Sequence, residues 1–519
     1  MPLKPRSATK HSGELRRLAL SVLQPGFVGT EAPDWVLRDI GEGLASVVLF
    51  SRNIVSPGQV ARLTAQLRAE NPALVIAIDE EAGDVTRIES ATGSTRPGNF
   101  ALGAVDDPEL TEAVAADLGG QLRACGIGLD YAPSADVNSN PGNPVIGVRS
   151  FGATPELVSR HTAAWIRGLQ SSGVAACAKH FPGHGDVAVD SHHDLPAYGA
   201  GREEIAAQAL PPFRAAVAAG VRAVMSGHLL VPALDPGLPA TLSRTVLQGV
   251  LREELGFDGL IVSDAIEMGA VSRPYGIGGA TVRAVAAGVD AVCVGGESAG
   301  EDTVDALVTA LADAVAGGQL AMERLAEAAG RVGEFADWSA ALRAAVPARE
   351  AGRDIGYVAA RRALRLTGAV RDALPLAAAP HVVELAAATN PAVGDETPWG
   401  LAAPLRERMP EVTSVRLHGD ELRTGAATLD SCALAPAAGR PLVVVVRDAA
   451  RHAWMSSAVA GLTAARPDAI VVEMGLPGAV TAGAPQIFTH GASAASGVAA
   501  AELLAGDGRA AEAGRRQAS

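Results

Sequence analysis

Aromatic residues make up only 3% of this 519-residue chain, too few to line a stacking platform for single-stranded nucleic acid. Cysteine is scarce as well. Cys125, Cys177, Cys293 and Cys432 lie far apart with no CxxC spacing, which excludes a sequence-local zinc knuckle and suits buried, reduced thiols. Positive charge is in deficit: the formal net charge is −14, arguing against a nucleic-acid or anionic-membrane partner. No apolar run approaches the roughly 18 residues of a membrane-spanning helix. The early apolar run Leu18–Leu23 is shorter than the roughly 7–15 residues of a signal-peptide core, and no small-residue cleavage site follows it. A cytoplasmic protein is the expectation.

What is present is globular: 48% hydrophobic and 19% charged residues, in a chain long enough for two domains. Short β-branched runs recur, separated by Gly/Pro/Asp-rich loops and amphipathic stretches. They are 44–50, 74–79, 127–132, 174–179, 221–226, 260–264 and 289–294, with 18–23 reading as either strand or helix. Continuous apolar runs alternating with helices indicate parallel strands covered on both faces. Their number predicts an α/β fold, a (β/α)8 TIM-like barrel over residues 1–345. In TLSRTVLQGVLREELGF, Ser243 is a plausible N-cap and Gly256 a left-handed stop. A helical linker is expected over 346–370. Strand signals resume at 381–385, 442–447 and 470–473, predicting a smaller α/β layered domain over 371–510.

The chemistry concentrates in AKHFPGHGDVAVDSHHDLP, residues 178–196, which holds four of the eleven histidines. It follows a strand, at the end where barrel enzymes build their sites, and its Pro and Gly residues make it a loop. Lys179 stands out because the chain has only three lysines, Lys4, Lys10 and Lys179, among 43 basic residues. A compact ammonium at a strand end suits ligand binding, against a structural salt bridge as the plainer role. Asp190 and His192 give a carboxylate and an imidazole two residues apart, fit to fix a tautomer and leave one nitrogen for proton transfer. A metal site from His184, Asp186, Asp190, His192 and His193 is the alternative, weakened by the lack of a distant ligand. Asp264 ends the strand LIVSD and serves as nucleophile or base, or as a simple helix cap. Asp79 and Arg149 are similarly placed.

Together, LFSRNI (49–54), AIDEEAGDVTR, NPVIGVRSF, the KHFPGHG…DSH stretch and IVSDAIEM resemble glycoside hydrolase family 3, within it the β-N-acetylglucosaminidase branch. The resemblance covers roughly residues 15–345. It implies a TIM-like barrel followed by an αβα sandwich-type domain. It implies Asp264 as nucleophile, His192 as an unusual acid/base with Asp190 as its partner, and Asp79, Arg87, Arg149, Lys179 and His180 as residues holding the sugar. It further implies a retaining, exo-acting hydrolase of terminal N-acetyl-β-glucosaminides in peptidoglycan (muropeptide) recycling, with no metal or organic cofactor. The expected partner is a small carbohydrate, with phosphate as an alternative acceptor to water. A broader β-glucosidase and a non-catalytic sugar-binding barrel are the competing readings. One departure is clear: where the branch carries a second glycine and an arginine in AIDEEAGDVTR, this chain has Ala82 and Asp84.

Overall fold

The structure, a computed structural model, describes residues 13–506 apart from 190, 192–193, 297–299, 348–351, 388–392, 394–396 and 479–483. It divides into two compact units that do not follow chain order. The first takes in Met1–Asp79, Gly119–Ala132 and Gln170–Arg349; the second takes in Glu80–Leu118, Pro133–Leu169 and Glu350–Ser519.

The first unit is a barrel. Six parallel strands run side by side: β2 (Ser46–Leu49), β3 (Val75–Ile78), β4 (Leu129–Asp130), β5 (Ala175–Phe181), β6 (Ala223–Ser226) and β7 (Leu260–Ser263). A parallel pair, β1 (Leu23–Pro25) with β8 (Val292–Val294), meets both edges of that sheet. Ser46 Oγ donates to Leu23 O at 3.3 Å, and the Ser263 amide donates to Ala291 O at 3.0 Å. The ambiguous run at 18–23 is therefore both things: helix Gly13–Ser21, then the first residue of β1. The core of the barrel mixes small residues, Ala77, Ala175, Cys177, Ala223, Ala291 and Cys293, with larger ones, Val48, Val75, Leu129, Tyr131, Met225, Leu260 and Val262. Phe335 and Val332 of helix Met322–Ala345 pack against this core. Alternating small and large side chains fill a narrow barrel.

Two local expectations meet the structure differently. Gly256 is left-handed as expected, at φ +70°. The segment before it, Thr245–Glu254, is wound as a π-helix, and Ser243 Oγ accepts from the Val246 amide at 3.2 Å.

The second unit is built on a six-stranded sheet. Its strands are β9 (Arg365–Thr367), β10 (His381–Ala386), β11 (Thr413–His418), β12 (Leu442–Val446), β13 (Ile470–Glu473) and β14 (Gln486–Phe488), in the order β9-β14-β13-β12-β10-β11. Only β9 is antiparallel, and it lies in the stretch expected to be linker. Helices pack on both faces over two apolar clusters, one around Val443, Val445 and Ile487 and the other around Val444, Val446 and Leu462. Among the described residues no helix is long and apolar enough to cross a membrane.

Candidate active site

In the first unit the carboxyl ends of three strands deliver the polar residues. Asp79 follows β3, Lys179 and His180 lie within β5, and Asp264 follows β7. β5 runs two residues further than its apolar pattern, and Lys179 and His180 fall where its register against β6 shifts, between the paired residues Ala178 and Phe181. The Lys179 ammonium is 2% exposed and pairs with the Asp79 carboxylate. The plainer role for Lys179 is thus real, and it is compatible with ligand binding because the pair sits at a strand end. The Lys179–His180 and Phe181–Pro182 peptide bonds are cis. The His180 ring lies edge-on to His184, 5.9 Å between centroids, and His184 Nε2 is 3.1 Å from Ser191 Oγ.

Asp264 is held by backbone. Its amide donates to Ser226 O at 3.0 Å, and its Oδ1 accepts from the Ala265 amide at 2.8 Å. Burial pushes Cys177 and Cys293 up, and the carboxylates of Asp79 and Asp264 add to the rise at both. β3 and β7 belong to one parallel sheet, so the two carboxylates stand at the same end of the barrel.

Two neighbours of Asp264 escaped sequence reasoning. His228, fully buried, donates from Nε2 to Ala265 O at 3.0 Å while Nδ1 lies 2.9 Å from Thr241 Oγ1. It braces the turn that carries Asp264, and its only sequence signal is a histidine two residues beyond the strand AVMS. Glu267, three residues after Asp264, has its carboxyl pushed up by burial first and also by the Asp264 charge. A Cβ on Gly296 would lie 2.7 Å from Glu267 Oε1, so the glycine after β8 leaves room for this carboxyl.

In the second unit, the segment after residue 79 makes a tight turn. Ala82 and Gly83 are both left-handed, at φ +61° and +63°, and a Cβ on Gly83 would come within 2.4 Å of Gly98 Cα. Glu80 accepts from the Arg87 and Ile88 amides at 2.7 and 2.8 Å, and burial pushes its carboxyl up to about 7. Arg87 is buried. Arg149 makes a two-pronged pair with Glu81, at 3.0 Å from Nε and 2.6 Å from Nη2, a geometry that fixes the plane of the guanidinium. The departure at Asp84 has its own partners: Arg447 at 2.9 Å and the Ala492 amide at 2.7 Å.

Of the expected site, Asp79, Lys179, His180 and Asp264 thus gather in the first unit, while Arg87 and Arg149 are ordered within the second. Asp190 and His192 lie outside the described residues, as does His193 of the alternative metal set. Among the described residues no group of three or more His, Cys, Asp or Glu side chains is placed to hold a metal ion.

Comparison with known proteins bears on the family and the fold. The sequence model of the Glycosyl hydrolase family 3 N terminal domain matches residues 30–335. A beta-hexosaminidase from Stenotrophomonas maltophilia (strain K279a) is 39% identical over 279 residues, covering 52% of this chain and 82% of that protein. Beta-hexosaminidase A from Pseudoalteromonas piscicida is 36% identical over 303 residues, 54% of this chain; the match spans 49% of that longer protein, about half. A solved glycoside hydrolase family 3 beta-N-acetylglucosaminidase from Paenibacillus sp. str. FPU-7 superimposes with a TM-score of 0.84 at 34% identity, over 95% of this chain and 96% of the other.

Proposed function

Since the chain belongs to glycoside hydrolase family 3 and is a glycoside hydrolase, we propose that it releases terminal N-acetyl-β-glucosamine by a retaining double displacement. The observation that carries the reading is Asp264, fixed by backbone at the end of a barrel strand, the same end of the parallel sheet that carries the Asp79–Lys179 pair. Asp264 attacks the anomeric carbon and forms a glycosyl ester as the bond to the leaving oxygen breaks. Protonated His192 gives that oxygen its proton. Neutral His192, its tautomer set by Asp190, then takes a proton from water, which attacks the same carbon and releases Asp264. Asp79, Lys179, His180, Arg87 and Arg149 hold the sugar's polar groups. Peptidoglycan fragments in the cytoplasm are the proposed setting.

The DSH sequence favours one further acceptor. Most retaining glycosidases use a second carboxylate as acid/base, and a carboxylate would repel an incoming phosphate dianion. A neutral imidazole does not. Phosphate arrives deprotonated and needs no base, so phosphorolysis is the alternative outcome on the same glycosyl-enzyme. Hydrolysis of p-nitrophenyl N-acetyl-β-glucosaminide, compared with the plain β-glucoside and run with and without millimolar phosphate, tests both. Preferred cleavage of the N-acetyl substrate to free sugar supports hydrolysis, and a sugar 1-phosphate supports the alternative. Faster cleavage of the plain glucoside contradicts the specificity.

A further inference from the structure

The sheet of the second unit reverses direction at β10. The chain passes from β10 to β11 on one side, then returns to lay β12, β13 and β14 on the other. The two connections leave the carboxyl ends of β10 and β12 on opposite faces, which opens a crevice there. In open α/β sheets this switch point is where ligands bind. A cavity of about 1380 Å³ lies at that end, reached from Ala386 at the end of β10, His418 at the end of β11, and the start of helix Ala453–Ala465 after β12. It is larger than the roughly 300–1,000 Å³ usual for small-molecule pockets, which suits a chain of rings more than a single one.

Its lining is unusual for this protein. The whole sequence has five tryptophans, and two of them, Trp399 and Trp454, face this cavity half-buried. Both are prepared by their neighbours. A Cβ on Gly419 would lie 2.9 Å from the Trp454 ring, so glycine there lets the indole lie flat against the end of β11. The Arg416 guanidinium covers one side of Trp399, 4.8 Å from the ring centroid, and donates to Trp399 O at 2.6 Å. The Arg416 charge is itself neutralised by Glu384 at 2.7 Å, so Arg416 orients the ring and is a poor anchor for a phosphate. The same lining includes Ser457, Asp420 and His418, which supply polar groups. Wide aromatic faces with donors and acceptors beside them match a molecule with apolar faces and hydroxyl edges.

We propose that this cavity is a second carbohydrate site, which binds a short β-linked oligosaccharide by stacking its rings on Trp454 and Trp399. The site goes beyond the hydrolytic reading and does not depend on it; only the choice of an N-acetylated probe does. The test is calorimetric titration of full-length Asp264→Ala, which should not consume the probe, with N,N′,N″-triacetylchitotriose, cellotriose and ADP. Two saccharide-binding events per chain are expected. Adding Trp454→Ala, or Ser457→Arg at an exposed helix position to block the cavity by volume, should weaken one event at least tenfold and leave the other. Thermal unfolding shows whether each variant is folded. Equal titrations in the parent and in both folded double variants would overturn the proposal, as would displacement of saccharide by ADP, which would make the cavity a nucleotide site. A failure of the hydrolytic reading shows separately, as absent cleavage by the unsubstituted enzyme.

Discussion

Lys179 makes the ion pair that was its plainer role, and ligand binding is the role left to test. Buried itself, it neutralises the partly exposed Asp79 carboxylate, and by doing so it fixes a donor and an acceptor at the carboxyl end of the barrel strands. Lys179→Ala should lower kcat/KM for the aryl N-acetylglucosaminide at least about tenfold, roughly 1.4 kcal/mol of transition-state binding. An unchanged kcat/KM in a folded variant would reduce the lysine to a structural ion pair. Lys179 and Asp264 were legible because a rare or charged residue stood at the end of an apolar run. His228 and Glu267 were not, because their roles depend on Ala265 O and on the backbone of Gly296, contacts that no spacing encodes.

His490 gives a pH-dependent test at the same scale. Its ring lies between Phe100 and Phe488, Nδ1 donates to Ala363 O at 3.0 Å, and burial lowers its pKa to about 4. The native state holds it neutral, whereas the unfolded chain takes up a proton near pH 6.5. Stability is therefore present above that value and lost as pH falls toward 4, by at most about 3 kcal/mol. His490→Asn keeps a donor and tolerates the φ of +59°. It should shrink the difference in Tm between pH 7.5 and pH 5; an undiminished difference would place the acid sensitivity elsewhere.

At the level of elements, the barrel strands were readable because both faces of each are buried, giving unbroken apolar runs. β9 and β14, of three residues each, are too short to show a period. β11 has an exposed, polar burial pattern that reads as loop. The π-helical winding of Thr245–Glu254 was hidden for a different reason: its apolar face is nearly that of an α-helix. The turn at residues 82–85 illustrates a local departure explained only by distant partners. Asp84, a departure from the motif the sequence resembles, is buried against Arg447 and the Ala492 amide. A buried pair costs about 3–5 kcal/mol when one partner is removed. Asp84→Arg should lower stability by that order, measured by urea unfolding, and Asp84→Arg/Arg447→Asp should recover a substantial part. A reversal no more stable than the single variant would show that the Ala492 bond, not the ion pair, holds the turn.

For the whole molecule, the chain's order and its packing order differ. The segments Glu80–Leu118 and Pro133–Leu169 belong compactly with the C-terminal sheet, so the residues expected to hold sugar are divided between the two units. Truncation after residue 345 would strip Asp84 of Arg447 and the Asn143 carbonyl of Arg451. We expect the shortened chain to lose at least about a hundredfold in kcat/KM, roughly 2.7 kcal/mol; full activity would make the C-terminal sheet dispensable. The division was not legible beforehand because the sequence motifs run continuously through both units. The central claim is that Asp264 forms the glycosyl-enzyme. It is tested most directly by trapping with a 5-fluoro N-acetylglucosaminyl fluoride and mapping the adduct by peptide mass spectrometry. One N-acetylglucosaminyl-derived adduct on Asp264 is expected; a labelled peptide from elsewhere in the chain, or turnover with inversion at the anomeric carbon and no adduct, would contradict that role.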